Sequence, residues 1–296
     1  MRIGVVGSIN MDMAVIAPRI PSKGETLIGE KVCYTPGGKG ANQAVAMARL
    51  GAEVLMFGCV GEDNFKDELL SNLKSNHVNT TYIQKQPDAS SGMAFITIAE
   101  QDNTIVVVPG ANHFVTKKYI DSIMDPLLTC SMVVLQHEIP IKTVEYVISI
   151  CHEHGIKTIL NPAPACFVSK EVIHKVTYLT PNEHEAALIF PEEENMSDLL
   201  RKYPEKLIIT QGDKGVAISL KTGEVLNIPP RKTKVIDTTG AGDTLNGAFA
   251  VRIANQDSID DALRYANIAA SLSVEKFGAQ GGMPTFDQVK KEVESC

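Results

Sequence analysis

The sequence predicts an α/β protein: a mainly parallel central sheet covered by helices on both faces, three layers in all, with a small β-sheet lid. Two observations predict it. From about residue 116, strand-like and helix-like segments alternate, the pattern of parallel strands joined by crossover helices. Strand-like stretches at about 13–34 and 93–108 break that alternation and are expected to form the separate lid. The chain has 296 residues, 44% of them hydrophobic, which suffices for a sizeable core in one domain over 1–296.

IGVVGSI (3–9) is a buried strand, and MAVIA (13–17) and ETLIGEKVCY (25–34) are strands with partly polar faces. KGANQAVAMARLG (39–51) is an alanine-rich helix stopped by Gly51. A strand at 54–61 and a helix at 63–76 follow, then a hairpin of 93–100 and 104–110 around QDN. Helix 116–128 precedes strand 132–136, helix 141–154 precedes strand 158–160, and strand 177–180 precedes a helix opening at Asn182. Strands 207–210 and 216–220 come next, and helices 243–254, 258–275 and 285–294 close the chain. Ligands of open α/β sheets bind beyond the carboxyl ends of strands. The ends to inspect are Ser8–Asp12, Gln136–Glu138, Thr180–Glu185, Thr210–Gly215 and Asp237–Asp243.

Composition removes several function classes. The formal net charge is −7 with no block of lysines or arginines, which argues against nucleic-acid and membrane-surface binding. Aromatic residues make up 5% with no Trp, a poor basis for base stacking. The six cysteines (33, 59, 130, 151, 166 and 296) form no C-x-x-C pair, so free thiols in a reducing compartment are expected. No apolar run approaches ~18 residues, and the first residues lack a secretory pattern; a cytoplasmic location is expected.

The stretch VIDTTGAGDTLNGAFA (235–250) carries the chemistry. It fits neither the G-x-G-x-x-G dinucleotide fingerprint, because Leu245 stands at the third glycine, nor a P-loop. The amides of Gly240, Ala241 and Gly242 precede a helix and can face an anion, aided by the helix dipole. Asp243 at that edge would repel a resting anion. It makes sense as a base that takes a proton from a hydroxyl attacking the anion, which is phosphoryl transfer. Alone, the stretch also fits an aspartate capping a helix after a glycine-rich turn. In TPGGKGANQA (35–44), Gly37, Gly38 and Gly40 flank Lys39 at a helix start, and Asn42 offers a donor and an acceptor to a sugar hydroxyl. A tight turn with a solvated lysine fits too. Asn10 and Asp12, two apart in an extended segment, share a face and suit a polyhydroxylated ligand, or simply form a polar loop.

GSINMD, GGKGANQA, NPAPA, TPNEHEA and DTTGAGDTLNGAFA stand in the order and spacing of the phosphofructokinase B-type (ribokinase-like) family of sugar and nucleoside kinases. The resemblance covers about residues 3–290. It implies one α/β domain with a β lid, transfer of the ATP γ-phosphate to the 5-hydroxyl of D-ribose, and a homodimer formed through the lid. Asp243 resembles the family's catalytic base, and Gly240, Ala241 and Gly242 its anion hole. Asn10, Asp12, Gly38, Lys39, Asn42 and Glu138 resemble the sugar clamp. Asn182 and Glu185 match the motif that organises Mg2+ and phosphate. Thr210, Gly212, Asp213 and Gly215 match the nucleotide loop, and Asn267 stands where a His near adenine is common. Asp237, Thr239, Ser273, Lys276, Gly278 and Gly282 match the site of a K+-type monovalent cation. Two departures stand out: Asn267 for His, and Gly281–Gly282 where the family often has a small polar residue. A kinase for deoxyribose, another furanose or a nucleoside is the nearest alternative. A non-catalytic sugar-binding regulator on the same fold is a more distant one.

Other candidates point elsewhere than to chemistry. Cys151 and His154 share a helix face, but two ligands do not make a zinc site. PEEEN (191–195) reads as a solvated acidic loop, and NPAPA (161–165) as a structural turn with a restricted backbone.

Overall fold

The computed structural model describes residues 1–100, 102–193 and 195–294. Gln101 of the expected hairpin turn, Glu194 of the acidic loop and Cys296 of the expected free thiols lie outside the described residues, as does Ser295. The strands along the chain are β1 (Arg2–Val6), β2 (Asn10–Ile16), β3 (Lys31–Gly37), β4 (Glu53–Gly61), β5 (Val78–Asn79), β6 (Ile83–Gln86), β7 (Gly92–Ala99) and β8 (Asp102–Val108). They continue with β9 (Met132–Gln136), β10 (Lys157–Asn161), β11 (Tyr178–Leu179), β12 (Ile208–Thr210), β13 (Val216–Ser219) and β14 (Val225–Ile228).

The central sheet runs β11-β10-β9-β1-β4-β5, with β6 also paired to β4, and its strands are parallel. Antiparallel β12-β13-β14 extends it through single bridges, Leu179 to Leu207 and Asn182 to Thr210. β1, β4 and β9 are apolar runs buried almost throughout, as a sheet covered on both faces requires. One core lies under helices Lys39–Arg49, Ala241–Ala254 and Ile259–Ser273. The other lies under helix Ile141–Glu153 and its neighbours on the opposite face.

The separate sheet has the order β3-β2-β7-β8. Its outer pairs are antiparallel, but β2 and β7 run parallel. Register sets Tyr34, Met13, Phe95 and Val106 in one row across all four strands. Asp12 belongs to the neighbouring row with Thr35, Ala94 and Val107, and so points to the opposite face.

Several elements differ from expectation. The first strand ends at Val6, because the chain leaves the central sheet to enter the separate one at Asn10. Of the strand expected at 25–34, residues 25–30 belong to the reversal between β2 and β3, where Glu25 pairs with Arg19 and the Glu30 N–H donates to the Ile16 carbonyl at 2.8 Å. The helix expected at 116–128 breaks into Lys117–Ser122 and Met124–Leu128. Pro126 lacks an N–H and its ring opposes the carbonyl four residues back, at Ser122. Helices Lys170–Lys175 and Met196–Lys202 and the strands β5, β6 and β14 were too short for their periodicity to register. The five described cysteines are free thiols. No helix of the described residues is long and apolar enough to cross a membrane.

Candidate active site

Two helix starts meet at the cleft. Small residues allow their helices to approach closely: a Cβ added at Gly247 would stand 2.8 Å from that of Ala46. The approach brings the first turn of Lys39–Arg49 against the first turn of Ala241–Ala254. There Asn42 Nδ2 donates to Asp243 Oδ2 at 2.9 Å, and Gln43 Nε2 donates to Asp243 Oδ1 at 3.0 Å. The carboxylate is held at both oxygens and is only 7% exposed. Behind it, Gln43 Nε2 also reaches Asn161 Oδ1 at 3.1 Å, and Gln43 Oε1 accepts from Gln136 Nε2 at 2.6 Å. Asn161 thus does more than open a structural turn: it also lines the cleft.

The turn before Asp243 has the shape of an anion cradle. Gly240 sits at φ 79°, a left-handed conformation that favours glycine, and a Cβ there would press on Ala279. The Ala241 N–H, expected in the cradle, donates instead to the Thr238 carbonyl at 3.2 Å. The N–H groups of Gly242 and Asp243 lie in the first turn, beyond reach of any intrahelical carbonyl. Asn246 Nδ2 braces the turn by donating to the Gly242 carbonyl at 2.9 Å, and Thr180 Oγ1 donates to Asn246 Oδ1 at 2.6 Å. No sequence pattern marks Asn246 or Thr180 as a functional side chain, although Thr180 heads a strand end where a ligand is expected.

These groups line a cleft of about 240 Å³ together with Lys39, Asn182, Glu185 and Thr210. Burial lowers the Lys39 pKa, but Asp243, Glu138, Glu185 and Asp12 outweigh it and hold the ammonium above its ordinary value. Burial first, then Glu138 and Asp243, pushes the Asp12 carboxyl up to about 7 against the pull of Lys39. Glu138 is fastened: its Oε2 accepts from Ser8 Oγ at 2.6 Å, Asn10 Nδ2 at 3.4 Å and the Lys39 N–H at 3.0 Å. It borders a second depression, of about 300 Å³, below Val107 of the small sheet. Asn10 Oδ1 accepts from Asn112 Nδ2 at 2.6 Å, and Asn112 Oδ1 accepts from the Ile9 N–H at 2.9 Å. Asn112, on no expected site, therefore sets the orientation of Asn10. Gly38, just before Lys39, packs its backbone against Asn10.

Asn182 and Glu185 form a reciprocal cap on helix Glu183–Ile189, with bonds of 2.7 and 2.9 Å. Burial raises the Glu185 pKa, partly offset by its bond to the Asn182 N–H and by Lys39. Thr210 shares the cleft, Gly212 and Asp213 are exposed beside it, and Gly215 packs on Asn267. Asn267 is buried and donates to the Ile228 carbonyl at 2.9 Å. At the far side of the glycine turn, Asp237 accepts from the N–H groups of Thr239 at 2.9 Å and Gly278 at 2.8 Å. Burial pushes its pKa up, but a hydrogen bond from the Thr239 side chain, followed by these two N–H groups, outweighs that and holds it below the ordinary value. A Cβ at Gly282 would stand 1.9 Å from the Ser273 carbonyl oxygen, so the glycine leaves that carbonyl uncovered. Lys276 is exposed. Among the described residues no three His, Cys, Asp or Glu side chains group as metal ligands.

A mainly parallel α/β fold, with a carboxylate held at the edge of a helix-start cradle and a lysine across the cleft, defines a phosphotransferase. Within that class the chain belongs to the pfkB family carbohydrate kinases, whose family model matches residues 2–286. It is 51% identical over 287 residues to the ribokinase of Bacillus subtilis (strain 168), covering 97% of each chain. Its fold superposes on the crystal structure of Thermotoga maritima ribokinase with a TM-score of 0.90 at 32% identity, covering 99% of both chains. Arabidopsis thaliana ribokinase, solved in complex with ribose and ATP, superposes with a TM-score of 0.89 at 29% identity, covering 98% of this chain and 97% of that one.

Proposed function

We propose that the protein transfers the γ-phosphoryl group of ATP to the 5-hydroxyl of D-ribose, giving ribose 5-phosphate and ADP. One observation carries the reading: the Asp243 carboxylate is held by Asn42 and Gln43 at the mouth of the Gly240–Gly242 turn, facing the cleft that Lys39 shares. Asp243 takes the proton as the sugar hydroxyl attacks. The cradle amides and the helix N-terminus receive the charge that develops on the transferring group. Lys39 offsets the carboxylates around it and so lets an anionic nucleotide approach an acidic cleft.

Asn10, Asp12, Gly38, Lys39, Asn42 and Glu138 would hold the sugar, with Asp12 and Glu138 accepting from its hydroxyls. Thr210, Gly212, Asp213, Gly215 and Asn267 would border the nucleotide, with Asn267 acting through position rather than through its bonded amide. Mg2+ fits at Glu185, which keeps one carboxylate oxygen outside its cap, and Asn182 beside it; when bound it neutralises phosphate charge. A K+-type ion fits the Asp237 carboxylate and the carbonyl-rich turn of Thr239, Ser273, Lys276, Gly278 and Gly282, and would add positive charge behind the cradle. The smallness of Gly282 suits a ligand set built from carbonyls.

The row of Tyr34, Phe95 and Val106, on the lid face turned away from Asp12, supports a homodimer through the lid, since all three are more than two-fifths exposed. ADP release measured over a panel of sugars, with and without potassium, tests the function. Ribose-dependent release is expected to exceed that with deoxyribose, fructose or a nucleoside. No release with ribose, or faster release with another member of the panel, overturns the assignment.

A further inference from the structure

The amide of Asn42 stands between Asp243 and Gln280. An asparagine amide keeps nearly the same shape when turned over, but donor and acceptor change places. In the observed orientation Nδ2 faces the Asp243 carboxylate at 2.9 Å. Turned over, Oδ1 would face it, and a hydrogen bond to a charged group would become a repulsion. The far side of the amide selects between these two states. Gln280 Nε2 donates to Asn42 Oδ1 at 2.9 Å. The orientation of Gln280 is selected in turn, because its Oε1 accepts from Asn72 Nδ2 at 2.7 Å. Its backbone is pinned as well: Arg49 Nη1 donates to the carbonyls of Gln280 and Met283, and Arg49 Nε donates to Asn76 Oδ1 at 2.8 Å. The donors therefore run one way, from Asn72 through Gln280 and Asn42 to Asp243. Gln280 is 8% exposed, so water offers little substitute for it.

We infer that Gln280 is a positioning residue for phosphoryl transfer, holding the Asn42 amide donor-first against the base. The inference rests on the reading of Asp243 as that base. The test compares kcat and KM of the full chain with those of Gln280→Ala, Gln280→Glu, Asn42→Ala and the double variants, with melting temperatures recorded alongside. Gln280→Ala is expected to lower kcat about tenfold, with KM for ATP within about twofold. Gln280→Glu keeps the shape and the bond from Asn72, but sets a carboxylate oxygen against Asn42 Oδ1 and drives the amide over. It is expected to lower kcat further than the alanine variant. In the Asn42→Ala background neither change is expected to alter kcat, because the residue acts through Asn42. The inference is overturned by unchanged kcat in Gln280→Ala, by a glutamate variant as active as the alanine one, or by losses that persist without Asn42. Wild-type turnover separates the two claims: its absence overturns the base assignment, and its presence with indifferent variants overturns only the role of Gln280.

Discussion

The floor of the cleft and the lid beside it are built on opposite terms. On the floor, Asp243 has both oxygens bonded, the amides behind it are bonded in turn, and the whole assembly is buried. On the lid, Asp12 has no side-chain hydrogen bond among the described residues, and its carboxyl is pushed up to about 7 by burial and by its acidic neighbours. The far face of the same lid exposes Val106 at 64%, and the near face leaves Ile105 54% exposed as well. As the proposed base, Asp243 must be in place before its substrate arrives, and its geometry is over-determined by the protein alone. As a proposed sugar contact, Asp12 must exchange water for a sugar hydroxyl, and the protein leaves its carboxyl without a hydrogen bond of its own.

Breaking the floor should have the largest effect. Asp243→Asn keeps the shape but removes the proton acceptor, and turnover is expected to fall by roughly 10²–10⁴-fold while ribose still binds by calorimetry. Near-normal turnover would remove Asp243 from its role. The lid should break differently. Val106→Lys sets a charge on the exposed row and is expected to turn a dimer into a monomer in sedimentation, with the fold intact. A dimer that persists would place the interface elsewhere.

The third test sharpens the contrast between the two carboxylates. The folded pKa of Asp12 lies above its unfolded value, so its contribution to stability is fully present below about pH 4 and is lost as pH rises through about 7. Asp12→Asn does not titrate. Without ligand it is expected to melt with the wild type near pH 4 and several degrees above it near pH 8. Equal melting at both would show that the lid carboxylate is not under this strain. The smallest effect is expected at the cap beside the cleft. Asn182→Ala should cost ~1 kcal/mol of stability, read in denaturant melts, because a helix start loses its reciprocal bonds.

Local signals made much of this legible. The glycine turn at 240–242, its aspartate and the helix after it are contiguous, and so are Gly38–Asn42 and the Asn182–Glu185 cap. The apolar runs of β1, β4 and β9 announced a buried parallel sheet. What stayed hidden was relational. Gln43 looks like an ordinary polar residue until the fold sets it against Asp243, and Gln136, although it heads a strand end where a ligand is expected, gives no sign that it stands behind Gln43. Asn112 and Gln280 are silent for the same reason.

By itself the sequence determined the order of the longer strands and helices, the chemistry available at each strand end, and the family to which such motifs belong, because these follow from neighbours along the chain. Only the tertiary structure decided which amide faces which carboxylate. Asn42 and Asp243 lie 201 positions apart, and Gln280 lies 238 from Asn42. Those pairings depend on the close approach of two helices and on which end of each amide its far neighbour leaves free, and neither is encoded in any local pattern.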